Sequence, residues 1–182
     1  YHNQIVKPMQ SSPITFLTQH QVRLLEHSFK ALNADDYATL FYQKLFWQYP
    51  HLRSLFPVNL TDQKEKLMSV IELIVHSFDE KTPGKFALQE SLILPLRHLG
   101  LKHEEKGVAP EHYPIANGLM LEIFALTLGD LYSDEIREAW QLALRHVTSA
   151  MLDIKIDVET PENQTAFQQG IALIRKYFSK VV

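Results

Sequence analysis

From Val22 to Val181 the apolar residues of this chain recur at intervals of three and four, and an alternating pattern is hard to find anywhere. That recurrence matches the 3.6-residue turn of an α-helix, so the sequence predicts an all-α protein. Glycine is scarce, and most prolines stand where helices would begin or end. Thr18 and Gln21 form a capping box ahead of a helix carrying Val22, Leu25 and Phe29. A second helix follows Asp35–Asp36 with Leu40, Phe41, Leu45 and Phe46, and a short helical turn runs between Pro50 and Pro57. Thr61 opens a third helix with a stripe of Gln63, Leu67, Val70, Ile74 and Phe78. The stretch "TPGK" breaks the chain, and a helical segment restarting at Pro95 reaches His103. Gly107 ends that segment, and an apolar helix follows Pro110–Glu111 through Leu119, Ile123, Phe124 and Leu128 to Gly129. Ser133 caps the next, with Ile136, Trp140, Leu144, Val147 and Met151 inward.

Length and composition narrow the function classes. With 182 residues the chain fits one domain with a real core. It divides into an arm over 1–14, a helical domain over 15–156 and a C-terminal extension over 157–182. No cysteine is present, which excludes thiolate nucleophiles, iron–sulfur clusters and cysteine-type zinc sites. A formal charge of −3 argues against nucleic acid or an anionic membrane as partner. No apolar run read from the sequence approaches the roughly 20 residues that span a bilayer. A cytoplasmic location is the working expectation.

The segment "RHLGLKHEEKGVAPEHYP", residues 97–114, concentrates His98, His103 and His112 in a charged stretch. His98 and His103 are five residues apart, which places them roughly 140° apart around a helix and unfit to share a metal. The zinc pattern H-E-x-x-H is absent. His112 falls in the first turn of the following helix. His103 differs, because Leu96 and Leu99 lie seven and four residues earlier on its face, while Lys102, Glu104, Glu105 and Lys106 follow on the others. An imidazole at the polar end of an apolar stripe is how a helix offers one axial ligand to a flat hydrophobic cofactor. An ordinary core or surface histidine is the alternative reading of the same pattern.

"LGLKHEEKGVAPEHYPIANGLMLEIF" resembles the proximal-histidine segment and following helix of globins, above all the bacterial flavohaemoglobins and single-domain globins. "LFYQKLFWQYPHLRSLF", "DQKEKLMSVIELIV" and "LGDLYSDEIREAWQLAL" resemble three further helices of that family, in the same order. The resemblance covers about residues 15–154. It implies the globin fold, a three-on-three helical sandwich, with an extra C-terminal helix. It implies haem b (iron protoporphyrin IX) as cofactor and His103 as the iron ligand. Tyr42 and Gln63 then fall at the distal positions that contact a bound gas. Phe56, Leu67 and Leu99 become pocket lining, and Tyr113 a support for the histidine.

Each assignment has an ordinary counterpart. Phe56 and Leu67 would be buried in any helical protein, and Tyr42 could be a core tyrosine bonded to a backbone carbonyl. Gln63 on an apolar face needs a partner, since an unsatisfied buried amide costs about 1–3 kcal/mol.

The function implied by the resemblance is binding of oxygen, nitric oxide or carbon monoxide at a histidine-ligated iron. A Tyr/Gln distal pair implies, in that family, nitric oxide dioxygenase activity. The chain has no Gly-rich nucleotide fingerprint, so turnover is expected to use an external reductase. It departs from flavohaemoglobins where their last globin helix carries a glutamate, since that position falls near Lys155 with Asp153 close by. A haem-based gas sensor signalling through the C-terminal helix is the alternative. In that helix Phe167, Ile171, Ile174, Phe178 and Val181 form a heptad-like seam. Such a seam suits packing on the body, a homodimer or a link to an output domain. A non-haem helical interaction protein is the third reading.

Overall fold

The computed structural model describes residues 16–152; the arm over 1–14 and the extension over 157–182 lie outside them, as do Asp153 and Lys155. Six α-helices carry the architecture: α1 Gln19–Lys30, α2 Ala34–Gln48, α3 Thr61–Val75, α4 Glu90–Glu105, α5 His112–Leu128 and α6 Asp134–Leu152. A 3-10 helix, Pro50–Leu55, joins α2 to the approach of α3. Local chemistry sets several of these boundaries. Thr18 Oγ1 accepts from Gln21 N–H at 3.1 Å while Gln21 Oε1 accepts from Thr18 N–H at 2.9 Å, completing the expected capping box. Asn33 Oδ1 accepts from Asp36 N–H at 3.0 Å to start α2, and Ser133 Oγ accepts from Ile136 N–H at 3.2 Å to start α6.

The helices cross in two layers. α2 packs on α5, α1 and α4 pack on α6, and α3 leans on α2 and α1. Trp140 of α6 is the hub, with 0% of its surface exposed. Its ring stacks on Phe124 of α5 at 4.3 Å between centroids, and its indole N–H donates to Ser28 Oγ at 2.8 Å. The Ser28 hydroxyl in turn donates to the Leu24 carbonyl at 2.6 Å, so the polar atom brought into the core by the indole is satisfied. The stripe expected on α6, from Ile136 to Met151, is buried throughout.

Two boundaries differ from the sequence expectation. α3 stops at Val75, and Phe78 begins a strand. Strands β1 (Phe78–Thr82) and β2 (Lys85–Leu88) form an antiparallel hairpin, extended by a bridge between Leu17 and Phe86. Pro83 and Gly84 form its two-residue loop, and Gly84 takes the positive φ of 75° that such a turn requires. β1 buries Phe78 alone and is exposed along the rest of its length, so no alternation marks it. α4 begins at Glu90 and continues through Pro95. The proline sits in the second turn, fully buried, where its missing N–H costs the helix a single internal bond.

A third correction concerns apolar length. Within His112–Leu131, which is α5 with the short turn after it, an 18-residue window reaches a mean hydropathy of 1.3, long and apolar enough to cross a membrane by that measure. It nonetheless inserts Leu119, Ile123, Phe124 and Leu128 into the common core.

Candidate functional site

His103 stands in the last turn of α4, and the end of that helix fixes it. Val108 N–H donates to the His103 carbonyl and Gly107 N–H to that of Glu104, each at 2.9 Å. This is a Schellman cap, and it needs the φ of +89° that Gly107 supplies. A Cβ at this position would also approach Leu55 Cδ2 at 3.4 Å. Gly107→Ala is therefore expected to cost about 1–2 kcal/mol, read as a lower thermal midpoint. An unchanged midpoint would show that the turn relaxes freely.

The His103 ring is half-buried. Burial, and secondarily the Lys106 ammonium, holds its pKa below the ordinary histidine value, so the neutral imidazole is favoured. Its Nδ1 lies 3.3 Å from the hydroxyl of Tyr113, a buried residue in the first turn of α5. In the tautomer with the proton on Nδ1, that N–H donates to the tyrosine oxygen, and the Nε2 lone pair is left to bind a metal. Burial, then the Glu104 carboxylate, raises the Tyr113 pKa and keeps the phenol protonated. The other two histidines of the segment are elsewhere engaged or placed. His112 Nδ1 accepts from Ala109 N–H at 3.0 Å, closing the turn before α5, and His98 is exposed.

A second group forms where α2, the 3-10 helix and α3 meet. Tyr42 is buried, and its ring meets Phe56 edge-on at 5.6 Å, with Phe46 5.4 Å from Phe56. Its hydroxyl donates to the backbone carbonyl of Gln63 at 3.0 Å, and burial raises its pKa. The bond is thus to the main chain and not to the Gln63 amide, whose side chain is half-buried. Leu67, one turn further along α3, is buried, and Leu99, one turn before His103 on α4, is half-buried. Neither α3 nor α4 has the other among its principal packing partners. Phe56, Val70 and Leu99 are half-buried and pack against the common core from its edge.

Sequence reasoning missed two residues that position this arrangement. Arg53 donates from Nη1 to the carbonyls of Phe56 at 3.0 Å and Pro57 at 2.9 Å, and from Nη2 to that of Val58 at 3.0 Å. Its guanidinium also lies 5.0 Å over the Phe46 ring. It clamps the segment that presents Phe56, and because its partners are backbone atoms no residue pattern announces it. Gly100 is the other. A Cβ there would lie 2.0 Å from the Met151 carbonyl oxygen, so α4 and α6 touch backbone to backbone one turn before His103. A glycine inside a helix with no turn to make was the available signal.

These residues can hold a metal in a restricted way. Among the described residues no group of three or more His, Asp or Glu side chains could hold an ion. His103 can offer one nitrogen, so a metal bound there must bring its remaining ligands with it. A metal carried in a flat apolar prosthetic group fits that donor set, with aromatic and aliphatic walls beside it.

Crossed helices with one half-buried, tyrosine-supported imidazole at the end of a helix define an all-α protein with a candidate ligand-binding histidine. The family model described as Globin matches residues 39–151, and the chain belongs to the globin family. It is 29% identical over 130 residues to a flavohemoprotein of Bacillus subtilis, covering 68% of this chain and 30% of that protein. It is 27% identical over 146 residues to a leghemoglobin of Psophocarpus tetragonolobus, covering 74% of this chain and 94% of that protein. The chain thus spans about a third of the length of the flavohemoproteins it matches. Among solved structures, a bacterial globin from Campylobacter jejuni superposes with a TM-score of 0.63 at 22% identity, covering 76% of this chain and 96% of that one.

Proposed function

We propose that this globin holds haem b through His103 Nε2 and binds oxygen, nitric oxide or carbon monoxide on the opposite side. The observation that carries the reading is the half-buried, neutral His103 whose Nδ1 is engaged by Tyr113, leaving Nε2 for iron. Bound haem would supply the iron that takes up a diatomic gas. Tyr113 fixes the imidazole's orientation and, by accepting from Nδ1–H, raises its basicity as a ligand. Phe56, Leu67 and Leu99 limit water in the pocket, which strengthens any hydrogen bond made there. Tyr42 and Gln63 are the polar residues facing the gas.

The Tyr42 hydroxyl reaches a ligand only by leaving the Gln63 carbonyl, so ligand and main chain compete for one proton. Tyr42→Phe is expected to speed oxygen release about 10- to 100-fold, the loss of a bond of ~1.5–3 kcal/mol. An unaltered off-rate would remove Tyr42 from this role.

We further propose that nitric oxide and oxygen are joined with one electron to give nitrate, the electron coming from an external reductase. The flavohemoprotein relatives support this step. Nitrate yield per nitric oxide consumed, measured with a reductant present, tests it; a yield near zero would leave gas binding alone. The competition at Tyr42 also favours a second reading, a gas sensor, because capturing its hydroxyl removes one bond between α2 and the first turn of α3.

A further inference from the structure

The Tyr42 hydroxyl rests on a carbonyl that does not depend on it. Gln63 lies in the first turn of α3, where a helical carbonyl accepts from the N–H four residues on, here that of Leu67. The bond from Tyr42 at 3.0 Å therefore uses the second lone pair of an oxygen already satisfied. The phenol ring itself is pinned: Phe41 meets it at 5.2 Å, Phe56 at 5.6 Å and Phe46 at 5.9 Å. With the donor fixed on α2, the position of the first turn of α3 sets the strength of this bond.

That turn is weakly held from within. Its N-cap is Leu60, whose side chain caps nothing, and Asn59 Oδ1 takes the Thr61 N–H at 3.0 Å. Across to α2, Lys64 Nζ donates to Thr39 Oγ1 at 3.0 Å. Thr39 and Tyr42 stand three residues apart on α2, and Lys64 follows Gln63 on α3, so the two bonds tie neighbouring points of the same pair of helices. The Lys64–Thr39 bond has a charged donor and is half-buried at both ends. It does not involve the Tyr42 proton, so it stays made when that hydroxyl turns away.

We infer that the Lys64–Thr39 bond is a positioning clasp for Tyr42, a role that rests on the gas binding proposed above: it keeps the Gln63 carbonyl within reach of the hydroxyl and so limits how firmly Tyr42 holds oxygen. Without the clasp the first turn of α3 moves off α2, the bond to the carbonyl weakens, and the hydroxyl is freer to donate to oxygen. Carbon monoxide gains far less negative charge than oxygen and accepts a weaker hydrogen bond, so the clasp bears on the choice between the two gases.

Thr39→Val keeps the branched shape and removes the acceptor, and Lys64→Met keeps the stem and removes the donor. In the haem-loaded full chain each is expected to slow oxygen release about two- to fourfold, the effect of weakening one hydrogen bond by half, and to leave carbon monoxide release unchanged. In a Tyr42→Phe background neither should alter oxygen release, because no hydroxyl remains to be freed. Hydrogen exchange of the same proteins reads the turn without reference to gas: the amides of residues 64–67 should exchange about two- to fourfold faster in both variants. Faster release of both gases, an oxygen effect that survives Tyr42→Phe, or unchanged exchange at 64–67 would overturn the clasp. So would unaltered oxygen release in both variants while Tyr42→Phe alone releases oxygen faster. If Tyr42→Phe also changes nothing, the distal role of Tyr42 itself fails, and the clasp with it.

Discussion

His103→Ala is expected to abolish axial ligation of haem by the protein. In a reconstituted sample the ferrous spectrum of a histidine-bound iron should disappear, and affinity should fall further than the 10- to 100-fold typical of losing an outer partner. Added imidazole should restore the spectrum, because the cavity left at position 103 is bounded by the same capped turn. Tyr113→Phe is the graded control: it keeps Nε2 and removes the acceptor on Nδ1. That variant should retain haem about tenfold more weakly and lower the iron–histidine stretching frequency seen by resonance Raman. A ferrous spectrum unchanged in His103→Ala would place the ligand on another residue. An unmoved stretching frequency in Tyr113→Phe would make the 3.3 Å contact incidental.

Gly100→Ala should be the most damaging conservative change. The added Cβ would fall 2.0 Å from the Met151 carbonyl oxygen, an atom of the backbone that cannot rotate away. Either α4 lifts from α6 or α6 bends. The expected cost is about 3 kcal/mol, which for a chain of this length lowers the thermal midpoint by roughly 6–12 °C. Because His103 follows one turn later on α4, the same displacement should also shift the iron–histidine frequency. A variant with the parent's midpoint would mean that the two helices have slack at this crossing. Gly118→Ala, in open space on α5, is the matched control and should be neutral to slightly stabilising.

The features legible in the sequence are those with a local cause. A capping box is two residues three apart, and Thr18 with Gln21 reads the same in the chain and in the fold. The stripe of α6 is read from spacing, because one face of that helix is buried along its whole length. His103 stood out because an apolar stripe met a charged turn at one imidazole, and the Gly107–Val108 pair after it is the chemistry of a helix end. The illegible features depend on distant partners or on backbone atoms. The hairpin 78–88 escaped because β1 has only one buried residue, leaving the Pro83–Gly84 loop as the sole signal. The start of α4 lies five residues before the expected one because a proline in a helix's second turn reads, in sequence, as a beginning. Tyr42 bonds a backbone carbonyl, as its ordinary reading as a core tyrosine expects, but which carbonyl depends on the packing of α3. The Arg53 clamp joins main-chain oxygens, which no side-chain pattern reveals, and the partner of Gly100 is a distant backbone atom of α6.

The central claim is that this globin carries haem on His103, and an absorption titration of the purified full chain with haemin tests it most directly. The expected result is a sharp Soret band saturating at one haem per chain, which on reduction and exposure to carbon monoxide shifts as a histidine-ligated ferrous complex does. A spectrum that stays that of free haemin at every ratio would contradict the account.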